Sequence, residues 1–237
     1  MGVIIWAGVP STSVGVVVER YPAQPGPSRR LEAIQVPGRN GDLLIDQGAW
    51  DNYGQDYEVY FRAGAGRTPE AARIVRAWLM RPQGYQRLED SYDPDFYRMA
   101  YYQGPTDIEN AANLFGRMTI TYTCKPQRWR KDGEQAITLT APKTLYNDLF
   151  PTLPKIRVYG SGAGTFYIGD QWAEISDIDG YVDIDSELQD AYKDTTNKNA
   201  TLTLKDQTFP ALEAGENSIR WDGGITRMEI IPRWWTI

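Results

Sequence analysis

The sequence predicts a mainly β protein in two parts: a β-rich α+β part with one main helix at about 68–80, then an all-β antiparallel sandwich. Three observations carry this expectation. Short runs of β-branched and aromatic residues, bounded by Gly, Pro, Asn and Asp, recur along the chain. Helical spacing of apolar residues stands out in one segment. Near residue 150 the strand runs become shorter and more closely spaced, behind the proline-bounded junction Leu149-Phe150-Pro151-Thr152-Leu153-Pro154. The expected parts are residues 1–150 and 151–237 of a 237-residue chain, a length that suits one large or two small domains.

Taken in order, Ser13 to Arg20 reads as a strand through Val14, Val16, Val17 and Val18. Tyr21 to Ser28 then breaks regular structure, because three prolines fix φ and remove donors. Leu31–Val36 and Leu43–Ile45 read as strands around the turn Pro37-Gly38-Arg39-Asn40-Gly41-Asp42, and Tyr57–Arg62 as another. The helix has Thr68 as its N-cap candidate, Pro69 at the first helical position and Glu70 at the positive end of the dipole. Ala71, Ile74, Val75, Trp78 and Leu79 recur on one face, and Arg81-Pro82 ends it.

Tyr85–Glu89 and Phe96–Gln103 flank a loop and read as a hairpin. Met118, Ile120, Tyr122 and Cys124 alternate with Thr119, Thr121 and Thr123, so Cys124 is expected to be a buried small hydrophobe on a strand. The second part is expected to hold seven short strands, at Lys155–Tyr159, Thr165–Ile168, Ala173–Ile175, Tyr181–Ile184, Ala200–Leu204, Asn217–Trp221 and Ile225–Ile231. Asp222-Gly223-Gly224 reads as a tight turn between the last two.

Composition removes much enzyme chemistry. The chain has no histidine and one cysteine, which excludes Ser-His-Asp triads, Cys-His pairs, most zinc sites and intrachain disulfides. Net charge is −6, which disfavours nucleic acid as a default partner. Residues 1–150 are neutral, with 17 cations against 17 anions, and 14 of those cations are Arg. Arg suits planar pairing at interfaces better than Lys does. The longest apolar start, Val3 to Val9, is far short of the ~20 residues of a membrane span. No secretory signal is expected, since no basic region precedes this run, and no myristoylation site, since Trp6 stands where Ser or Thr is needed.

Candidate sites are few. Asp183, Asp185 and Glu187 alternate on a strand-like run, but a glycosidase needs two carboxyls across a cleft, and no calcium loop pattern is present. Gly160-Ser161-Gly162-Ala163-Gly164 precedes a strand rather than a helix and reads as a hairpin turn, not a phosphate loop. Gly64-Ala65-Gly66-Arg67 precedes the helix without a Walker ending and reads as a connector. Trp172 and Trp221 are candidate sugar platforms, against the competing expectation of sheet packing. Trp234 and Trp235 cannot share a strand face, so one of them is expected to meet a neighbouring surface, and Trp234 is a candidate carbohydrate or interface contact.

Several passages, in this order, resemble the distal tail protein family of long-tailed (siphovirus-type) bacteriophages. They are Val36-Pro37-Gly38-Arg39-Asn40-Gly41-Asp42-Leu43 with Trp50-Asp51-Asn52-Tyr53; Ala77-Trp78-Leu79 with Tyr85, Leu88 and Asp93-Pro94-Asp95-Phe96-Tyr97; and Ile184-Asp185-Ser186-Glu187. Phe209-Pro210-Ala211-Leu212, Gly215-Glu216-Asn217-Ser218-Ile219 and Ile231-Pro232-Arg233-Trp234 come after these. The resemblance implies a non-enzymatic hub without cofactor or metal, typically a homo-hexameric ring between tail tube and tail tip or baseplate. It implies a ring-forming N-terminal domain and an outward galectin-like β-sandwich. Gly38, Arg39 and Gly41 match the family's turn motif, and Trp78 and Leu79 its helix. Implied partners are further copies, the major tail tube protein, a tail-tip or tail-associated hub protein and the tape measure protein, with no nucleic-acid sequence recognition. The implied location is the virion tail tip, after synthesis in host cytoplasm. The chain lacks the long carbohydrate-binding insertions of some members. Two other readings compete: a carbohydrate-binding module built on Trp172 and Trp221, and a carboxylate glycosidase using Asp183, Asp185 and Glu187.

Overall fold

Alternating strands of unequal length dominate the computed structural model, which describes residues 2–63, 66–105, 107–111 and 114–237. The chain divides into Met1–Arg128 with Ile237, and Trp129–Thr236. The division therefore falls some twenty residues before the expected 150. The reason is pairing: Ile137–Leu139 and Lys143–Asn147 are strands of the second sheet, so residues 129–150 belong to the second unit.

The first unit holds β1 (Ile4–Trp6), β2 (Val9–Pro10), β3 (Val16–Val18), β4 (Arg29–Ile34), β5 (Leu43–Trp50), β6 (Tyr53–Arg62), α1 (Thr68–Met80), β7 (Gln86–Asp90), β8 (Phe96–Tyr101), β9 (Glu109–Ala111) and most of β10 (Phe115–Arg130). Its main sheet runs β2-β1-β7-β8-β10-β6-β3. The alternation expected along Met118–Cys124 is observed. Met118, Ile120, Tyr122 and Cys124 are buried and stand opposite Val59, Tyr57, Gln55 and Tyr53 of β6, whose own alternate residues are buried. Period-2 burial on one face is what fixes that register. The apolar start read only for membrane length supplies β1, with Ile4 and Trp6 fully buried. Ser13 and Val14 lie in a 3-10 turn (Ser11–Val14) closed by left-handed Gly15, so the expected first strand begins only at Val16.

Helix α1 packs its apolar face into this core through Ala72, Val75, Trp78 and Leu79. Indole N–H groups tie it down at both sides: Trp6 donates to the Leu79 carbonyl at 3.3 Å, and Trp78 to that of Val9 at 3.3 Å. Two expectations are corrected. Ile74 is 51% exposed, because the buried stripe runs through positions 68, 72, 75, 78 and 79, with Ala71 half-buried beside it and 74 outside it. Thr68 is the first helical residue, and Arg67 occupies the N-cap position without a side-chain cap bond. Gly64 and Ala65 of the expected connector lie outside the described residues.

The hairpin β7–β8 forms as expected and buries an ion pair. Arg98 and Asp90, each 2% exposed at the side chain, meet at 3.1 Å. Tyr57 donates to the same carboxylate at 2.6 Å, Arg98 Nε donates to the Tyr53 hydroxyl, and the Tyr92 and Asp93 amides donate to the second oxygen. Burial, then the Asp90 charge, pushes the Tyr57 phenol well above its usual range.

The second unit holds β11 (Ile137–Leu139), β12 (Lys143–Asn147), β13 (Lys155–Ile168), β14 (Gln171–Asp185), β15 (Asp190–Lys193), β16 (Thr196–Asn197), β17 (Leu202–Leu204), β18 (Gly215–Ile231) and β19 (Trp235–Thr236). Three long strands replace six of the expected short ones. Gly160–Gly164 is a bulged passage inside β13, and Asp222-Gly223-Gly224 lies inside β18, so neither is a hairpin turn. The two glycine passages face each other. A Cβ on Gly224 would lie 1.9 Å from the Ser161 carbonyl oxygen, and one on Gly160 would lie 2.1 Å from that of Gly224. Glycine permits this backbone approach, and the register shift bends both strands.

The bend gives the antiparallel sheet two halves. One pairs β12, β18, β13, β14 and β17 around Ile219, Phe166 and Ala173; the other pairs β11, β18, β13, β14, β15 and β16 around Met228, Val158 and Val182. Both halves contribute to one buried cluster. The sandwich arises by folding long strands over, not by adding short ones.

Candidate interaction surface

Among the described residues the strands β4 and β5 pair only with each other and form an arm outside the main sheet of the first unit. Their cross-strand partners are Leu31↔Asp46, Glu32↔Ile45, Ala33↔Leu44 and Ile34↔Leu43. One face therefore presents Leu31, Ala33 and Leu44, and the other Ile34, Leu43 and Ile45. All are exposed, Leu44 at 62% and Leu31 at 50%. A ribbon with apolar residues on both faces has no side of its own to bury. An isolated two-stranded hairpin is marginal in water, so this arm lacks the packing that would hold it alone.

Arginine holds the base of the arm. Arg29 pairs with Asp46 at 2.8 Å and lies over the Trp50 ring, and Arg30 pairs with Asp51 at 2.6 Å. The tip is the expected turn. Gly38 and Gly41 both have φ +80°, and the Arg39 amide donates to the Val36 carbonyl at 3.1 Å. The Gly38-Arg39-Gly41 motif thus shapes an exposed loop at the end of an exposed ribbon.

The other singled-out residues lie elsewhere. Trp78 and Leu79 are core residues of α1. Trp234 is 5% exposed inside the second cluster, with Arg130 over its ring. Its neighbour Trp235 stacks on Phe150. Trp172 and Trp221 point to opposite faces: Trp221 pairs across the ladder with buried Phe166, and Trp172 with Tyr167, over which Arg220 lies at 3.6 Å. They do not form one platform.

The three acids are held structurally. Asp183 takes both Arg157 guanidinium arms at 2.6 and 2.7 Å, and Asp185 takes those of Arg233 at 2.7 and 2.7 Å. Burial pushes the Asp185 carboxyl up, but Arg233 and the Leu188 and Glu187 amides outweigh it and leave it below the usual range. Glu187 is exposed and touches Arg233 at 3.3 Å. Two bidentate arginine pairs leave no poised acid and base. Cys124 is buried, and burial pushes its thiol up to about 12, the opposite of an activated nucleophile.

Among the described residues no group of His, Cys, Asp and Glu could hold a metal ion, and no helix is long and apolar enough to cross a membrane. Both strands and the turn of the arm follow the sequence expectation, whereas the exposure of its two faces does not. Its local signal was present in the apolar residues at both odd and even positions of Leu31–Ile34 and Leu43–Ile45, a pattern that reads equally as a doubly buried strand.

No protein-family model and no curated protein matches the chain. Among solved structures, a chain of the phage P2 baseplate in its activated conformation with Ca aligns at 10% identity over 97% of each chain. Its TM-score of 0.45 is too low to equate the folds. The Dit protein of SPP1, described as a paradigm of the hub adsorption apparatus in phages infecting Gram-positive bacteria, aligns over 100% of both chains. At a TM-score of 0.78 and 12% identity, this chain is mainly β and shares the fold of SPP1 Dit from end to end.

Proposed function

We propose that this chain is a non-enzymatic structural subunit of a phage tail hub, in which copies close into a ring, typically of six, between the tail tube and the tail tip. The observation that carries the proposal is the arm β4–β5, whose six exposed apolar residues lie on both faces of a ribbon paired only with itself. Such a ribbon is completed by a neighbour that covers it, and in a ring each contact is heterologous and closes by rotation. The end-to-end fold shared with SPP1 Dit supports the reading. In this reading residues 1–150 include the ring-forming region, and the later sandwich is galectin-like and faces outward. The major tail tube protein and a tail-tip hub protein are its axial neighbours, with the tape measure protein a further one, and the virion tail is its location.

End-on images of the purified protein, with its mass in solution, test this. A closed ring is expected, and a strictly monomeric protein at high concentration overturns it. A second reading, carbohydrate binding by the sandwich, is favoured by the outward row Trp172, Tyr167 and Arg220. A glycan array with the full chain and a Trp172→Ala control tests it, and absence of binding at millimolar sugar ends it.

A further inference from the structure

The first unit carries 14 cations and 14 anions, and 13 of those cations are Arg. Most of its ion-paired arginines lie on or beside strands: Arg20, Arg29, Arg30, Arg87, Arg98 and Arg117 each meet a carboxylate. The arginines of α1 do not share this habit. Arg73, Arg76 and Arg81 are exposed and have no carboxylate partner among the described residues. Ile74 and Met80, 51% and 53% exposed, share the same outward side of the helix. Arg62 and Arg128 also lack a carboxylate, but Arg62 lies over the Phe115 ring and Arg128 donates to Gln24 and the Pro25 carbonyl, so α1 is where three guanidiniums without such a partner among the described residues lie together.

The helix dipole accounts for Arg81 at the C-terminal end, but Arg73 in the middle gains nothing from it. A face kept only for solubility would carry both signs and no apolar side chains. Here Glu70, at the N-terminal end, is the single acid on the outward side. We infer that the outward face of α1 is a docking surface for an acidic, partly apolar segment of a partner protein. The carboxylates of that segment pair with Arg73, Arg76 and Arg81, and its apolar side chains cover Ile74 and Met80. Charge complementarity selects an anionic occupant. The two apolar residues select protein over nucleic acid, because a phosphate backbone gives Ile74 and Met80 nothing to bury against. This surface lies on α1 and not on the arm β4–β5.

The probe is a synthetic helical peptide of alternating glutamate and leucine turns, labelled and titrated with the full chain by fluorescence anisotropy. Saturable binding is expected, weakening at least about tenfold in Arg73→Glu/Arg76→Glu/Arg81→Glu, as three exposed ion pairs allow. Ile74→Ser/Met80→Ser should weaken it several-fold, and both variants should keep the wild-type circular dichroism and Tm. Absence of peptide binding, or binding unmoved by charge reversal, overturns the inference. So does a 20-base-pair DNA duplex that binds more tightly than the peptide and ignores Ile74→Ser/Met80→Ser, since that marks a general polyanion surface.

Discussion

Two arginine–aspartate pairs, one fully buried and one half-buried, show what single residues contribute here. In the first unit Asp90 and Arg98 are each almost fully withdrawn from water, with Tyr57 and Tyr53 completing their hydrogen bonds. A pair of this kind is weak evidence for stability, yet removing one partner strands a charge. Arg98→Met should therefore cost about 3–5 kcal/mol in denaturant unfolding, and adding Asp90→Asn should restore part of it. A double variant no more stable than the single one would show that the charge left behind is not the main cost. In the second unit the Asp185 carboxyl is held below its usual range by Arg233 and two backbone amides. A folded-state pKa below the unfolded one means that this stabilisation is full above the unfolded value of about 3.9 and is lost as pH falls through the folded value. Asp185→Asn should thus lower stability by about 2 kcal/mol at pH 7, with the gap to wild type closing on acidification towards pH 3. Urea melts across that range check it, and a gap constant with pH would place the loss in packing instead of charge.

At the scale of elements, the positions that the sequence made legible are those where one face is wet and the other dry. Met118–Cys124 is such a strand, and its alternation maps onto burial residue by residue. Helix α1 was legible in extent but not in rotation, because Ile74 offers the apolar pattern a second phase that the packing of Trp6 and Trp78 does not use. Trp78→Ala should cost about 3–5 kcal/mol, while Ile74→Ser should stay within about 0.5 kcal/mol of wild type. Comparable losses from the two would mean that the helix is rotated from the orientation described. The glycine passages of β13 and β18 were illegible for another reason. Turn glycines and bulge glycines have the same local sequence, and what separates them is the approach of Gly160 to Gly224, over sixty residues apart. Gly224→Ala would press a Cβ into the Ser161 carbonyl, and a loss of about 2 kcal/mol or more is expected in thermal melts. A neutral effect would argue that the strands separate there without difficulty. The arm was legible as two strands and a turn, but strand formers on both faces read as core, and only the pairing and burial patterns reveal that they stay exposed and that no other described strand pairs with them.

Over the whole molecule, charge and apolar exposure are divided between the two units. The observed boundary leaves the first unit neutral and puts the entire −6 in the second, with 11 cations against 17 anions. The neutral unit is also the one with the exposed arm, so the surface with least self-repulsion carries the apolar residues that a neighbour would cover. This arrangement makes a closed ring vulnerable in a specific way. If each copy gives its arm to one neighbour and receives an arm from the other, a chain with a ruined arm can still receive. Leu44→Asp/Ile45→Asp changes only exposed residues, so the variant should keep the wild-type Tm while remaining unable to form rings by itself. Mixed in excess with wild type before assembly, it should accept arms without passing one on, ending each chain of contacts before it closes. Mass measurement of the mixture should then show rings giving way to short open oligomers as the variant fraction rises. Rings that persist at full number and mass, with the variant excluded or incorporated harmlessly, would show that the arm is not the element that joins the copies.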